Sequence, residues 1–222
     1  MYYKIEFEHQ NSVEERNVML EKIKQWFVEL WSIGRSIGKN ESVDVIVPIS
    51  YTTGRDSLVN ATLCNLSVAL SQQKRFSKAI LAFSNCAYPF ENAAKIESGL
   101  KHVIIRIHGQ GEVIEALPMN NSVEEAENIK LRLQEINLFP SSILIVTGEM
   151  HSRSALYIWR KTFPNSKIHI VTIPLICEVQ SDHPVLAQRS AWKWIISNIL
   201  RQVALRVLPL DIVRKIQHQP AR

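Results

Sequence analysis

Two side chains with complementary chemistry sit two residues apart in ILIVTGEMHSRSALYIWR, Ile143 to Arg160. His151 carries an imidazole whose ordinary pKa lets it act as a general acid or base near neutral pH. Arg153 carries a planar guanidinium that grips a carboxylate or phosphate as a fork. The apolar run before them reads as a strand, the small polar residues as a tight turn and the rest as a helix. Ligands of open parallel α/β sheets sit beyond the carboxyl ends of the strands, which is where this turn would present both groups. A second helix start carries Ser122, Glu124 and Glu125. Either carboxylate can orient or charge His151, and the backbone N–H groups near Ser122 and Ser152 add donors for an anion.

Each of these residues also has a purely structural reading. Ser122 and Glu125 have the S-x-x-E spacing of a capping box, and Glu124 is favoured at a helix N-terminus by the dipole. His151 is then a turn histidine, and Arg153 pairs with an acidic neighbour. Other chemistries are poorly supported. There is no G-x-S-x-G elbow for a serine hydrolase. His102, His108, His151 and His169 fall on or beside different expected strands, and Cys64, Cys86 and Cys177 make no CxxC, so no metal site is expected.

The elements that must position these groups alternate. Strands are expected at Val43–Ile49, Lys78–Ser84, His102–Ile107, Ile143–Thr147 and Lys167–Ile173, with a short additional one at Glu112–Leu117. Gly109 and Gly111 mark a turn. Helical spacing recurs in Leu20, Ile23, Phe27, Leu30 and Ile33, in Val59, Leu63, Leu66 and Leu70, and in Val123, Ala126, Ile129, Leu133 and Ile136. This order argues for an α/β fold, a mostly parallel sheet with helices on both faces, in a single domain with an N-terminal helix and a long C-terminal one. That last helix follows Pro184 and carries Trp192, Ile196, Ile199, Val203 and Val207 on one side. Its stripe either packs on the sheet or lies on an anionic membrane.

The chain has 222 residues and a formal charge of +5, a mild excess that suits anionic partners. Basic residues are scattered, apart from the last helix, so nucleic acid is not an expected partner. Charges at the N-terminus exclude a signal peptide core, no apolar run is long enough to cross a bilayer, and the cysteine usage fits a reducing cytoplasm.

The run from Val43 into a Ser/Thr loop, then S-V-E-E-A (Ser122–Ala126), then V-T-G-E-M-H-S-R-S-A (Val146–Ala155), resembles the YdcF, SanA and ElyC family over roughly Val43 to Ile173. Ser122, Glu124 and Glu125 stand at the positions of its T-x-E-N-A motif, and Thr147, His151, Arg153 and Ala155 match its later one. The chain departs from the family in having one glycine in the first loop, Ser84-Asn85-Cys86 in place of Ser-Gly-Gly, and Asn65 or Arg55 for an early Arg. The resemblance implies a Rossmann-like domain of the branch without a membrane anchor. Its polar cleft would bind an anionic or nucleotide-like small molecule, S-adenosylmethionine included, and a transferase or hydrolase activity would be built there. His151 and Glu124 would then be catalytic, with Ser50, Thr52, Arg55, Ser84, Asn85, Ser122, Glu125, Thr147 and Arg153 binding the ligand. The competing expectation is a non-catalytic module tied to the cell envelope through a peripheral membrane contact of the last helix.

Overall fold

Strands rich in Val and Ile alternate with amphipathic helices along the chain, and each helix returns the backbone to the same edge of one sheet. The computed structural model describes residues 32–33, 37–38, 41–50, 56–87, 91–174 and 191–217. The elements are β1 (Val45–Pro48), α1 (Asp56–Arg75), β2 (Ile80–Cys86), α2 (Glu91–His108), β3 (Val113–Met119) and α3 (Ser122–Glu135). They continue with β4 (Ser142–Gly148), a 3-10 turn (Glu149–His151), α4 (Ser152–Thr162), β5 (Lys167–Ile173), α5 (Ala191–Val207) and α6 (Leu210–Gln217). The expected N-terminal helix lies outside the described residues, except for Ile33 at its end.

The five strands form one sheet in the order β3-β2-β1-β4-β5, and every neighbouring pair is parallel. This is a Rossmann-like order with its switch point between β1 and β4. Side chains alternate between the faces as a strand's period of two requires. Val45, Val47, Ile143 and Ile145 pack with α3 and α4, where Trp159 is fully buried and stacks on Phe163 at 5.5 Å. Ile46, Leu144 and Val146 pack on the other face with Leu66, Ala69 and Leu70 of α1.

One expected strand is a helix. His102–Ile107 forms the second half of α2, despite its run of Val and Ile. Parallel neighbours need a crossover of a dozen or more residues. The helix provides that between β2 and β3, whereas a strand there would have left only a short connection to Val113. The helix also buries Glu97 and Lys101, one turn apart, and exposes Ile96, Val103 and Ile107.

β1 is short for a central strand, and Pro48 is the reason. Ile49 N–H donates to Val146 O of β4, and Asp44 O accepts from Ile80 N at the start of β2. Alternation therefore assigns the N–H that Pro48 lacks to the β2 side, and β1 pairs with β2 only through Val45–Ile80 and Ile46–Leu81. At the amino end, by contrast, Asp44 Oδ2 accepts from Ser141 N, Ser141 Oγ and Ser142 N at 2.7, 2.7 and 3.0 Å, fastening β1 to β4.

α3 ends in a Schellman turn. Leu138 N–H returns to Leu133 O, Asn137 N–H to Gln134 O, and Asn137 takes φ 58°, the one non-glycine with positive φ among the described residues. Asn137→Gly is expected to hold or raise stability by up to about 1 kcal/mol, and Asn137→Val to lower it by about 1–2 kcal/mol, since Cβ is penalised in this conformation. Urea denaturation midpoints at unchanged m-value test both, and equal midpoints for the two variants would refute it.

Candidate functional site

Where β1 and β2 part, a buried lysine fills the gap. Lys101 of α2 is 1% exposed, and its Nζ donates to Ser50 Oγ at 2.6 Å and to Ser84 O at 2.9 Å. It also lies 2.9 Å from Glu97 Oε1 one helical turn away. Ser50 Oγ in turn donates to Ser84 O at 2.9 Å. These contacts join β1 to β2 beyond their two paired positions. From the other face of the sheet, Glu125 of α3 accepts the Ser50 N–H on Oε1 at 3.0 Å. Asn65 Nδ2 of α1 donates to Ile49 O at 2.7 Å. Three helices thus converge on the carboxyl end of β1.

Glu125 is fully buried, and desolvation pushes its carboxyl up to about 8 against the pull of the Ser50 N–H and Lys101, with Glu97 adding to the rise. Desolvation raises Glu97 as well, with Lys101 opposing. Glu125 is therefore protonated at neutral pH. Because Oε1 accepts from Ser50, the proton belongs on Oε2, which has no hydrogen-bond partner among the described residues. Ser84 Oγ, Asn85 Oδ1, Asn65 Oδ1 and Thr147 Oγ1 are likewise buried without partners there. Folded chains rarely leave such atoms unmatched.

The N-cap of α3 is displaced by one residue from its expected position. Asn121 is the N-cap, its Oδ1 accepting from Val123 N and Glu124 N at 3.0 Å each. Glu124 Oε2 reaches back to Asn120 N at 2.8 Å and Asn120 Nδ2 at 3.0 Å. Donors expected to await an anion near Ser122 are thus taken up by the cap. The shift also releases Glu125 to point inward, one residue further round the helix.

His151 closes the 3-10 turn after β4, and its Nε2 shares a hydrogen bond of 3.2 Å with Ser122 Oγ. Enclosure of the ring and, secondarily, the charge of Arg201 lower its pKa to about 3. Arg201 comes from the inner side of α5 and is itself lowered by burial to about 10, so it stays charged. The imidazole is therefore neutral at physiological pH. This departs from the expectation that His151 titrates near neutrality. Arg153 lies half-buried in the first turn of α4, a helix with no side-chain cap.

Beside this centre, Asn85 Nδ2 donates to Glu115 Oε1, and Glu115 Oε2 accepts from His102 Nε2 at 3.0 Å. His102 Nδ1 faces Ser98 O at 2.7 Å, and this carbonyl, followed by Glu115, raises the imidazole's pKa. Ser50, Ser84, Asn85, Glu125 and Thr147 thus occur at or next to the carboxyl ends of β1, β2 and β4, while Ser122 joins His151. Thr52 and Arg55 lie outside the described residues. Lys101 and Glu97 were not singled out in the sequence, although their i, i+4 spacing was a usable signal. A groove of about 280 Å³ lined by Leu138, Phe139, Pro140, Phe163 and Pro164 lies at the opposite, amino edge of the sheet. Among the described residues, no three His, Cys, Asp or Glu side chains gather as a metal ion would require.

The two shifted groups act on stability in opposite directions. Glu125 has a folded pKa near 8 above its ordinary 4.5, so its contribution is complete below 4.5 and is lost as pH rises through 8. His151 has a folded pKa near 3 below its ordinary 6.5, so its contribution is present above 6.5 and is lost as pH falls toward 3. Glu125→Gln is expected to flatten the alkaline fall in thermal midpoint and to exceed wild type above pH 8. His151→Gln is expected to flatten the acid fall. Midpoints measured from pH 4 to 9 test this, and parallel profiles for wild type and Glu125→Gln would refute the raised carboxyl pKa.

No protein-family model, no curated protein and no solved structure matches the chain.

Proposed function

We propose that this is a cytoplasmic YdcF-like protein that binds an anionic or nucleotide-like small molecule in the crevice at the carboxyl ends of β1, β2 and β4. The observation that carries this reading is the fully buried carboxyl of Glu125, whose Oε2 has no hydrogen-bond partner among the described residues and whose pKa burial pushes up to about 8. An O–H donor without a partner is costly to leave unmade, and an oxygen of a bound anion would accept it. Arg153 supplies the fixed positive charge, and Thr147, Ser84 and Asn85 bring further unmatched polar atoms to the same strand ends.

The acid–base step on the ligand falls to Glu125. A group with a pKa of about 8 both gives and takes a proton near neutral pH, whereas an imidazole lowered to about 3 is a weak base. His151 then serves with Ser122 as a neutral hydrogen-bonding pair on the rim, and Glu124 holds the start of α3 that carries Glu125. The resemblance noted above bears on the hydrogen-bonding role of Glu125 and not on its proton exchange. Its motif has Asn at the position of Glu125, and a protonated carboxyl presents the same donor and acceptor as an amide.

A thermal-shift panel of nucleotides, S-adenosylmethionine, sugar phosphates and small carboxylates tests the reading. Ligand at a hundredfold excess over Kd stabilises the native state by about 2.7 kcal/mol, which for a chain of this size is a shift of about 5–10 °C. Wild type is expected to shift with a member of the panel, Arg153→Ala to lose the shift, and Glu125→Gln to keep binding while losing turnover. No shift with any compound, or an equal shift in Arg153→Ala, would overturn it.

A further inference from the structure

α5 is inside out for a helix covering a sheet. Asn198, Gln202 and Leu205 are buried, and Gln202 Nε2 donates to Ser154 Oγ of α4 at 2.9 Å. Ile196, Ile199, Leu200, Val203 and Val207 face outward, between 47% exposed at Ile199 and 73% at Val207. The expectation that this stripe packs on its own sheet is therefore overturned. At ~100° per residue, these five side chains share an arc about 100° wide. Lys193 stands at one border of the arc and Arg206 at the other, both exposed. Arg206 is steadied by Tyr157, with its guanidinium 5.2 Å from the ring centre and Nε donating to the hydroxyl at 3.1 Å. No Asp or Glu occurs between Ala191 and Val207. None of the described helices is long and apolar enough to cross a membrane.

We propose that the outer face of α5 docks flat on an anionic lipid surface, with the five aliphatic side chains entering the headgroup–acyl boundary and Lys193 and Arg206 pairing with lipid phosphates. Aliphatic side chains bordered on both sides by cations, with no acidic residue to repel the lipid, are the composition an interfacial helix requires, and long basic side chains reach up to the phosphates from such borders. α2 shows why exposed aliphatics alone do not suffice. It also exposes Ile96, Leu100, Val103 and Ile107, but it packs on the opposite face of the sheet, away from any plane that α5 could lie on. The inner side of α5 presents Arg201 to His151, so the docked helix would form the wall between lipid and the His151–Ser122 pair.

Flotation of the full chain with vesicles of phosphatidylcholine alone and of equimolar phosphatidylglycerol and phosphatidylcholine tests this. Wild type is expected to float with the anionic vesicles only, and less so in high salt. Leu200→Ser with Val203→Ser should lower partitioning on the order of tenfold or more, and Lys193→Glu with Arg206→Glu by about tenfold at low salt. Leu100→Ser with Val103→Ser on α2 should leave it unchanged. All these positions are exposed, so thermal midpoints should stay within a few degrees of wild type and keep the comparison valid. Failure of wild type to float would overturn the proposal, as would flotation indifferent to the α5 changes. Concentration-dependent self-association, without vesicle binding and abolished by the α5 changes, would overturn it in favour of a second copy of this chain.

Discussion

A proline at the end of the central strand governs the carboxyl edge of this sheet. Because Pro48 has no N–H to give β2, the two strands separate while still deep in the protein, leaving Ser84 O and Ser50 without ladder partners. Backbone polar groups in such a position must be matched from elsewhere. Lys101 meets the need from one side and Glu125 from the other. An ammonium so deeply buried is tolerable only with close acceptors and a counter-charge, and Ser50 Oγ, Ser84 O and Glu97 provide them. The gap, the lysine and the two carboxyl groups form one arrangement in which each member makes the others affordable.

The same requirement explains why two helices bury polar residues and expose aliphatic ones. α2 must turn Glu97 and Lys101 inward to fill the gap, so Ile96, Val103 and Ile107 face out. α5 turns Asn198, Arg201 and Gln202 toward the α4 side and the His151 turn, with the same result. In these two helices polar matching takes precedence over aliphatic burial. The hydrophobic core is carried instead by α1, α3 and α4, with Leu205 and Val213 as the contributions of the last two helices.

The order of strands and helices around β4 and α4 was legible because its signals are local. A β-branched run, a small polar turn and an amphipathic stripe each follow from short-range sterics and periodicity, and Ser142–Thr162 folds as that stretch reads. The polar residues at the strand ends were legible for the same reason, since topology brings loop positions after parallel strands to one edge. What escaped depended on long-range matching. His102–Ile107 has the composition of a strand, and only the need to cross from β2 to β3 makes it helical. Reading it as a strand ended the preceding helical or irregular segment at about Lys101, so the helix was read too short. The cap at α3 was misplaced by one position because Asn121 outcompetes Ser122 for the role, and one position on a helix decides which of two adjacent glutamates faces the interior. The titration behaviour of His151 depends on enclosure and on Arg201, fifty residues away in sequence by rough count, and no local pattern encodes that.

The contrast between the two ends of β1 has a mechanical meaning. At the amino end Asp44 is bonded to both neighbours, through its own carbonyl to Ile80 and through its carboxylate to Ser141 and Ser142. At the carboxyl end the link to β2 runs through side chains alone, the hydroxyl of Ser50 and the amine of Lys101. β1 and β2 are therefore built like the arms of tongs, pivoted at Asp44 and held at the tips by groups that can rotate. Among the described residues no backbone rung joins the two strands beyond Ile46–Leu81, and one serine and one lysine hold the tips together.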